Sequence, residues 1–213
     1  IPPVADGAYY QIVAQRIATG HGYTWLWPDG AVTPAAHYPV GYPAMVGALY
    51  AVFGASPGVA MTLNAVLGAL GVLACHRIAA SATGRAGALV GGVVVALHPA
   101  LVAYTPALMT EGVVAALLAI AGALAVEART APGTRGHALR VGAAVVIGVG
   151  TLVRPQSVLV APFFGLVSGR RGAGWPGALR AAALTTIVAL GTVSPWSLRN
   201  CLRMGSPPGT PSP

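Results

Sequence analysis

Long apolar runs separated by short polar breaks fill most of this 213-residue chain, and the length of each run predicts what it forms. Residues 57–77, 86–104 and 107–126 each hold about 20 mostly apolar positions, enough for a helix to cross a bilayer core of ~30 Å. Residues 141–153 and 155–167 are shorter runs on either side of "LVRPQS", and residues 181–196 form a sixth. A seventh apolar segment, residues 39–53, is short and carries Pro39, Pro43, Tyr42 and Tyr50 with Tyr38 just before it, which predicts a helix lying at the membrane interface. Ahead of it, "DGAYYQIVAQRIATG" places Tyr9, Ile12, Val13 and Ile17 on one stripe, flanked by Tyr10 and Arg16, as an amphipathic surface helix requires. The expected organisation is an extracytoplasmic loop with interfacial helices over 1–56, a six-span bundle over 57–203, and a disordered or truncated tail over 204–213.

Composition turns this pattern into a class. Charged residues make up only 8% of the chain, apolar ones 55%, and mean hydropathy is +0.72. The sequence is that of an all-α, polytopic membrane protein. The frequent glycine and alanine suit close helix approach in lipid. All twelve cations are arginine, scattered singly between apolar runs, so the net charge of +8 reads as a topology signal and not as a nucleic-acid surface. With the first span running inward, Arg77, Arg85, Arg129, Arg135, Arg140, Arg170, Arg171 and Arg180 face the cytoplasm. Asp6, Asp29 and Glu111, three of the four acids, then face outward with Arg16, Arg154, Arg199 and Arg203. Cys75 and Cys201 fit neither a disulfide framework nor a metal spacing, and the dispersed histidines do not make a zinc cluster. No P-loop, dinucleotide fingerprint, HExxH or GxSxG motif is present. Both ends of the chain look cut.

The outward charges are the candidate chemistry, and each also has an ordinary structural reading. Asp6 heads the amphipathic segment and is either an N-cap or a catalytic carboxylate; the two roles are compatible, since helix N–H groups hold a carboxylate anionic. Glu111 opens a long apolar run, where it either faces a cavity or snorkels to the interface. Arg154 precedes Pro155 at a helix break with Gln156 and Ser157 beside it, which suits a planar phosphate or a capped turn. Trp196, Arg199 and Asn200 end the last run as interfacial anchors, and His37 and Tyr38 precede the interfacial helix as turn residues.

Taken in order, "DGAYYQIVAQRIATGHGYTW", "HYPVGYPAMVGALYAVFG", "MTEGVVAALLAIAGALAVEA", "GTLVRPQSVLVAP" and "SPWSLRN" resemble the bacterial branch of the protein O-mannosyltransferase and aminoarabinose-transferase superfamily. These are polytopic GT-C-fold glycosyltransferases that take sugars from polyprenyl-phosphate carriers. The resemblance covers residues 5–203, and it rests on the order and spacing of the motifs more than on any one of them. It implies Asp6 as the carboxylate that activates an acceptor hydroxyl and Glu111 as a second carboxylate over the same cavity. It implies a donor-phosphate group drawn from Arg154, Arg199, His37 and Tyr38, although His37 and Tyr38 stand where the aminoarabinose branch has an acid followed by lysine. The partners it implies are a polyprenyl-phosphate-linked sugar, membrane lipid, and a lipid, glycan or protein acceptor, with inversion at the anomeric carbon. No organic cofactor is expected, and a divalent metal is compatible. The family's first span would lie upstream of Asp6 and its later spans after Arg203, so the segment is expected to be inactive alone. A transporter or lipid-linked-sugar flippase component is the alternative, since sparse intramembrane charges also mark transport pathways.

Overall fold

The computed structural model describes residues 5–169, 172 and 174–204. It is helical nearly throughout, as the apolar runs predict. Helix α1 (Asp6–Ala18) leads into a small antiparallel hairpin, β1 (Thr24–Leu26) with β2 (Val32–Pro34), in which Trp25 faces Thr33. Helix α2 (Gly41–Phe53) follows, and then come α3 (Pro57–Ala96), α4 (Pro99–Tyr104), α5 (Glu111–Ala128), α6 (Gly133–Val153), a 3₁₀ turn (Pro155–Val160), α7 (Ala161–Ser168) and α8 (Gly174–Met204).

Four of these helices, α3, α5, α6 and α8, are long and apolar enough to cross a membrane. The longest is not one rod. Gly84 sits at φ 74°, outside the helical region, and after it the chain folds back so that Gly92 lies against His76 and Gly91 against Ala79. Residues 57–83 and 85–96 are therefore two arms of a hairpin, a reversal that the positive φ of a glycine permits. The run read as 86–104 is the returning arm together with α4. The run at 155–167 is a 3₁₀ turn joined to the eight-residue α7. Arg170, Arg171 and the tail from residue 205 lie outside the described residues.

Packing depends on small side chains. Alanine and glycine dominate the buried face of α5, where Ala116, Ala121, Gly122 and Ala125 allow α3 and α6 to approach closely. Large apolar side chains such as Leu89, Val93, Leu97, Ile187 and Leu202 point outward, as lipid-facing positions do. The largest core cluster lies at one end of the bundle and joins Tyr10 and Ala14 of α1, Tyr42, Val46 and Tyr50 of α2, Ala60, Leu108, Val113, Leu117 and Val153.

The burial of α1 corrects the expected stripe. Gly7, Tyr10, Val13 and Ala14 are its buried face, while Ile12 is 41% exposed. The reason is that α1 packs on α2, which draws in the Tyr10 side of the helix. Where α2 begins, a Cβ on Gly41 would stand 2.5 Å from the Leu152 carbonyl carbon. Only glycine fits at that contact, which sets the start of α2 on the last turn of α6, one residue before Arg154.

Candidate active site

Both ends of α6 and α5 meet loops, and the end reached by Arg154 gathers most of the expected residues. Pro155 has no N–H and ends α6, so Arg154 leaves the helix with extended backbone at φ −141°, ψ 113°. Its guanidinium crosses to the start of α5. Nη2 donates to Glu111 Oε1 in an ion pair, and Nε donates to the Thr110 hydroxyl at 2.9 Å. Both side chains of the pair are about one-third exposed, at 33% and 31%. The second Glu111 oxygen, Oε2, is buried without a hydrogen-bond partner among the described residues. Glu111 is also the first residue of α5, where the positive end of the helix dipole favours a carboxylate.

Asp6 sits on the neighbouring element. It is the first residue inside α1 and not its cap, which is Ala5, so the capping interaction that its position allowed is not made. Asp6 Oδ1 instead accepts a hydrogen bond from the Tyr38 hydroxyl at 2.7 Å. Tyr38 is itself fixed, because its carbonyl accepts the Tyr23 hydroxyl at 2.7 Å. The bond to Asp6 raises the Tyr38 pKa above the ordinary tyrosine value, since the phenol proton is held by the carboxylate.

Tyr10 was missed by sequence reasoning and links the two halves. It packs in one cluster with Leu108, Val113 and Val153, and burial and the negative Asp6 push its pKa up. Its ring meets Tyr38 and Tyr42 edge to face, each at 5.4 Å. Tyr9 stacks on Trp25 at 4.9 Å and 16°, with His37 and Tyr38 around it. His37 is exposed and packs edgewise on Tyr38 at 4.6 Å. The sequence signal for Tyr10 was available: on a 3.6-residue helix, position 10 follows position 6 by one turn.

Arg199, expected at a donor phosphate, directs its donors to the β-hairpin segment and to Asn200. Nη2 donates to the Tyr23 carbonyl at 2.8 Å, and Nη1 donates to the Ala35 carbonyl and to Asn200 Oδ1, both at 2.9 Å. The guanidinium also lies 4.7 Å from the centroid of the Trp196 ring. With those donors directed to carbonyls, Arg199 clasps both ends of the β-hairpin segment to α8. Trp196 completes the clasp against Tyr23 at 5.1 Å.

Beside the pair, an apolar cavity of about 440 Å³ opens between α3, its returning arm and α5. Asn64, Tyr104, Thr105 and Gly112 line its head, and Cys75 and Ala119 its depth. Among the described residues no three His, Cys, Asp or Glu side chains come together as a metal-holding group.

A bundle of apolar helices with an acid–guanidinium pair and a cluster of tyrosines at one end defines a helical membrane protein. A family model described as dolichyl-phosphate-mannose-protein mannosyltransferase matches residues 37–198, and the chain belongs to that family. At the level of the family this makes it a membrane glycosyltransferase dependent on a polyprenyl-phosphate sugar. No curated protein and no solved structure gives a significant match. The matched residues include His37, Tyr38, Glu111 and Arg154, while Asp6, Tyr10 and Arg199 lie outside them.

Proposed function

We propose that the protein transfers a sugar from a polyprenyl-phosphate carrier to an acceptor hydroxyl at the Glu111 end of the bundle, with inversion at the anomeric carbon. The observation that carries this reading is the convergence of Asp6, Tyr38, Tyr10, Thr110, Glu111 and Arg154 from four separate parts of the chain. In the proposed step the acceptor oxygen bonds to the anomeric carbon while the bond from that carbon to the phosphate oxygen breaks. The electron pair leaves with the polyprenyl phosphate, and the acceptor proton passes to Asp6. Tyr38 occupies Asp6 Oδ1, which turns Oδ2 to this task.

Arg154 Nη1 has no hydrogen-bond partner among the described residues, so it can meet the departing phosphate while Glu111 and Thr110 hold the guanidinium in place. The isoprenoid chain would lie along the apolar cavity and the α2 surface, where Val52 and Phe53 are exposed. The arginine count supports an outward-facing site, because Arg77, Arg85, Arg129, Arg135 and Arg140 belong to the loops and helix ends opposite Glu111. Mannose as the sugar and protein as the acceptor are the choices that the family's description favours.

Membranes containing the natively expressed protein, supplied in turn with radiolabelled polyprenyl-phosphate mannose, glucose and arabinose, test the reading. Transfer that Asp6→Asn lowers by about 100-fold or more at equal expression supports it, on the scale of a lost general base. Transfer from none of the donors, or full activity of Asp6→Asn, overturns it.

A further inference from the structure

Glu111 can hold Arg154 only if the turn before it is fixed, and that turn has no regular structure between Tyr104 and Glu111. Its local hydrogen bonds run back into α4: Thr105 N–H to Val102, Ala107 N–H to Tyr104 and the Thr105 hydroxyl to Leu101. They close the end of α4 without tying it to the bundle. Pro106 has no N–H to offer. The carbonyls of Thr105, which caps α4, and of Ala107 beyond it find no partner within the turn and need donors from elsewhere.

Asn64 supplies them. It lies on the first arm of α3, 6% exposed, and its Nδ2 donates to Ala107 O at 2.7 Å and to Thr105 O at 3.3 Å. Two carbonyls can only accept, so the amide nitrogen must face them and Oδ1 must face away. There Oδ1 accepts the hydroxyl of Tyr42, a fully buried side chain of α2, at 3.2 Å. A buried amide with both donors and its oxygen engaged is costly to disturb, because removing one partner strands the others away from water.

We propose that Asn64 is a positioning residue for the transfer site: with Tyr42 setting its orientation, it pins the 105–110 turn so that Thr110 and Glu111 meet Arg154. The kinetic part of this inference rests on the transferase reading above, and the structural part does not. Asn64→Leu removes both donors to the turn, and Asn64→Asp turns acceptors toward two carbonyls.

Both variants are expected to lower kcat about 10- to 100-fold, per folded molecule in membranes, as for an interaction lost in the transition state. In a Glu111→Gln background, Asn64→Leu should cost less than about twofold more, since residues acting through one contact are not additive. Hydrogen exchange provides a readout free of activity. Amides of residues 107–112 should exchange about tenfold faster in Asn64→Leu, while those of α6 stay unchanged. If neither Asn64 variant folds, Tyr42→Phe should speed the same amides about three- to fivefold, the effect of one lost hydrogen bond. Unchanged exchange at 107–112, or an equal fold-loss in wild-type and Glu111→Gln backgrounds, overturns the proposal. A wild-type protein that transfers from no donor refutes the transferase reading instead, and exchange then decides the role of Asn64.

Discussion

Helix α5 carries a glutamate at each end, about 24 Å apart at 1.5 Å per residue, and the two are built into the molecule differently. Glu111 at the first position is favoured by the helix dipole, whereas Glu127 near the last is opposed by it. Glu127 is answered by Arg135 at 2.5 Å and Arg77 at 3.9 Å, whose side chains are 69% and 74% exposed. The Arg154 side chain paired with Glu111 is 33% exposed and is held also by Thr110. Solvent screens the Glu127 group, so it contributes ~0–1 kcal/mol at most. The Glu111 group is about two-thirds sheltered on both sides, and it leaves a buried carboxylate oxygen without a partner among the described residues. The proposed function assigns the open guanidinium nitrogen of this pair to the leaving phosphate.

The largest effect that sharpens this contrast should come from Arg154→Gln. It strands Glu111 and removes the charge proposed to meet the leaving phosphate, so transfer should fall about 100- to 1,000-fold, on the scale of a lost electrostatic stabiliser. The assay is initial rate with the labelled donor at equal protein. Gly41→Ala comes next. Its methyl would meet the Leu152–Val153 backbone, so the Glu111 end should lose about 1–3 kcal/mol of stability, read as a lower melting temperature in detergent. An Ala at Gly68, a helical position where the added methyl meets nothing within 4 Å, should not lower the melting temperature.

The smallest effect concerns pH. Tyr38 has its pKa raised by its bond to Asp6, so the folded state holds that proton more tightly than the unfolded chain does. The stability it contributes is complete below the ordinary tyrosine value of about 10 and is lost as pH rises through the higher folded value. Melting followed from pH 8 to pH 11 should show a shallower alkaline decline in Tyr38→Phe.

Much of the fold was legible because lipid imposes a simple rule on sequence. Spans must be apolar and about 20 residues long, so α5 and α6 could be read from hydropathy and from the breaks at Arg129 and Pro155. The reversal at Gly84 falls in the break between the runs at 57–77 and 86–104, and what the pattern did not mark is the turning residue itself, which only a backbone angle identifies. The β-hairpin carried a signal that was passed over: "PDG" between "TWLW" and "AVT" is turn chemistry between two short strand-like runs.

At the site, Asp6, Glu111 and Arg154 stood out because charges are rare in this chain. Their partners did not. Tyr10, Thr110 and Asn64 are ordinary residue types whose importance comes from what lies across from them, and contacts such as Arg154 with Glu111, 43 positions apart, are not encoded in local pattern. Arg199 shows the converse, a conspicuous charge whose donors are directed to the carbonyls of Tyr23 and Ala35.

The most direct measurement compares Glu111→Gln and Glu127→Gln in one membrane preparation, each normalised to folded protein, by transfer from a labelled polyprenyl-phosphate sugar. The account predicts a loss of about 100-fold or more for Glu111→Gln, as for a removed transition-state contact, and activity within about twofold of wild type for Glu127→Gln. Equal activities in the two variants, or a greater loss at Glu127, would contradict it.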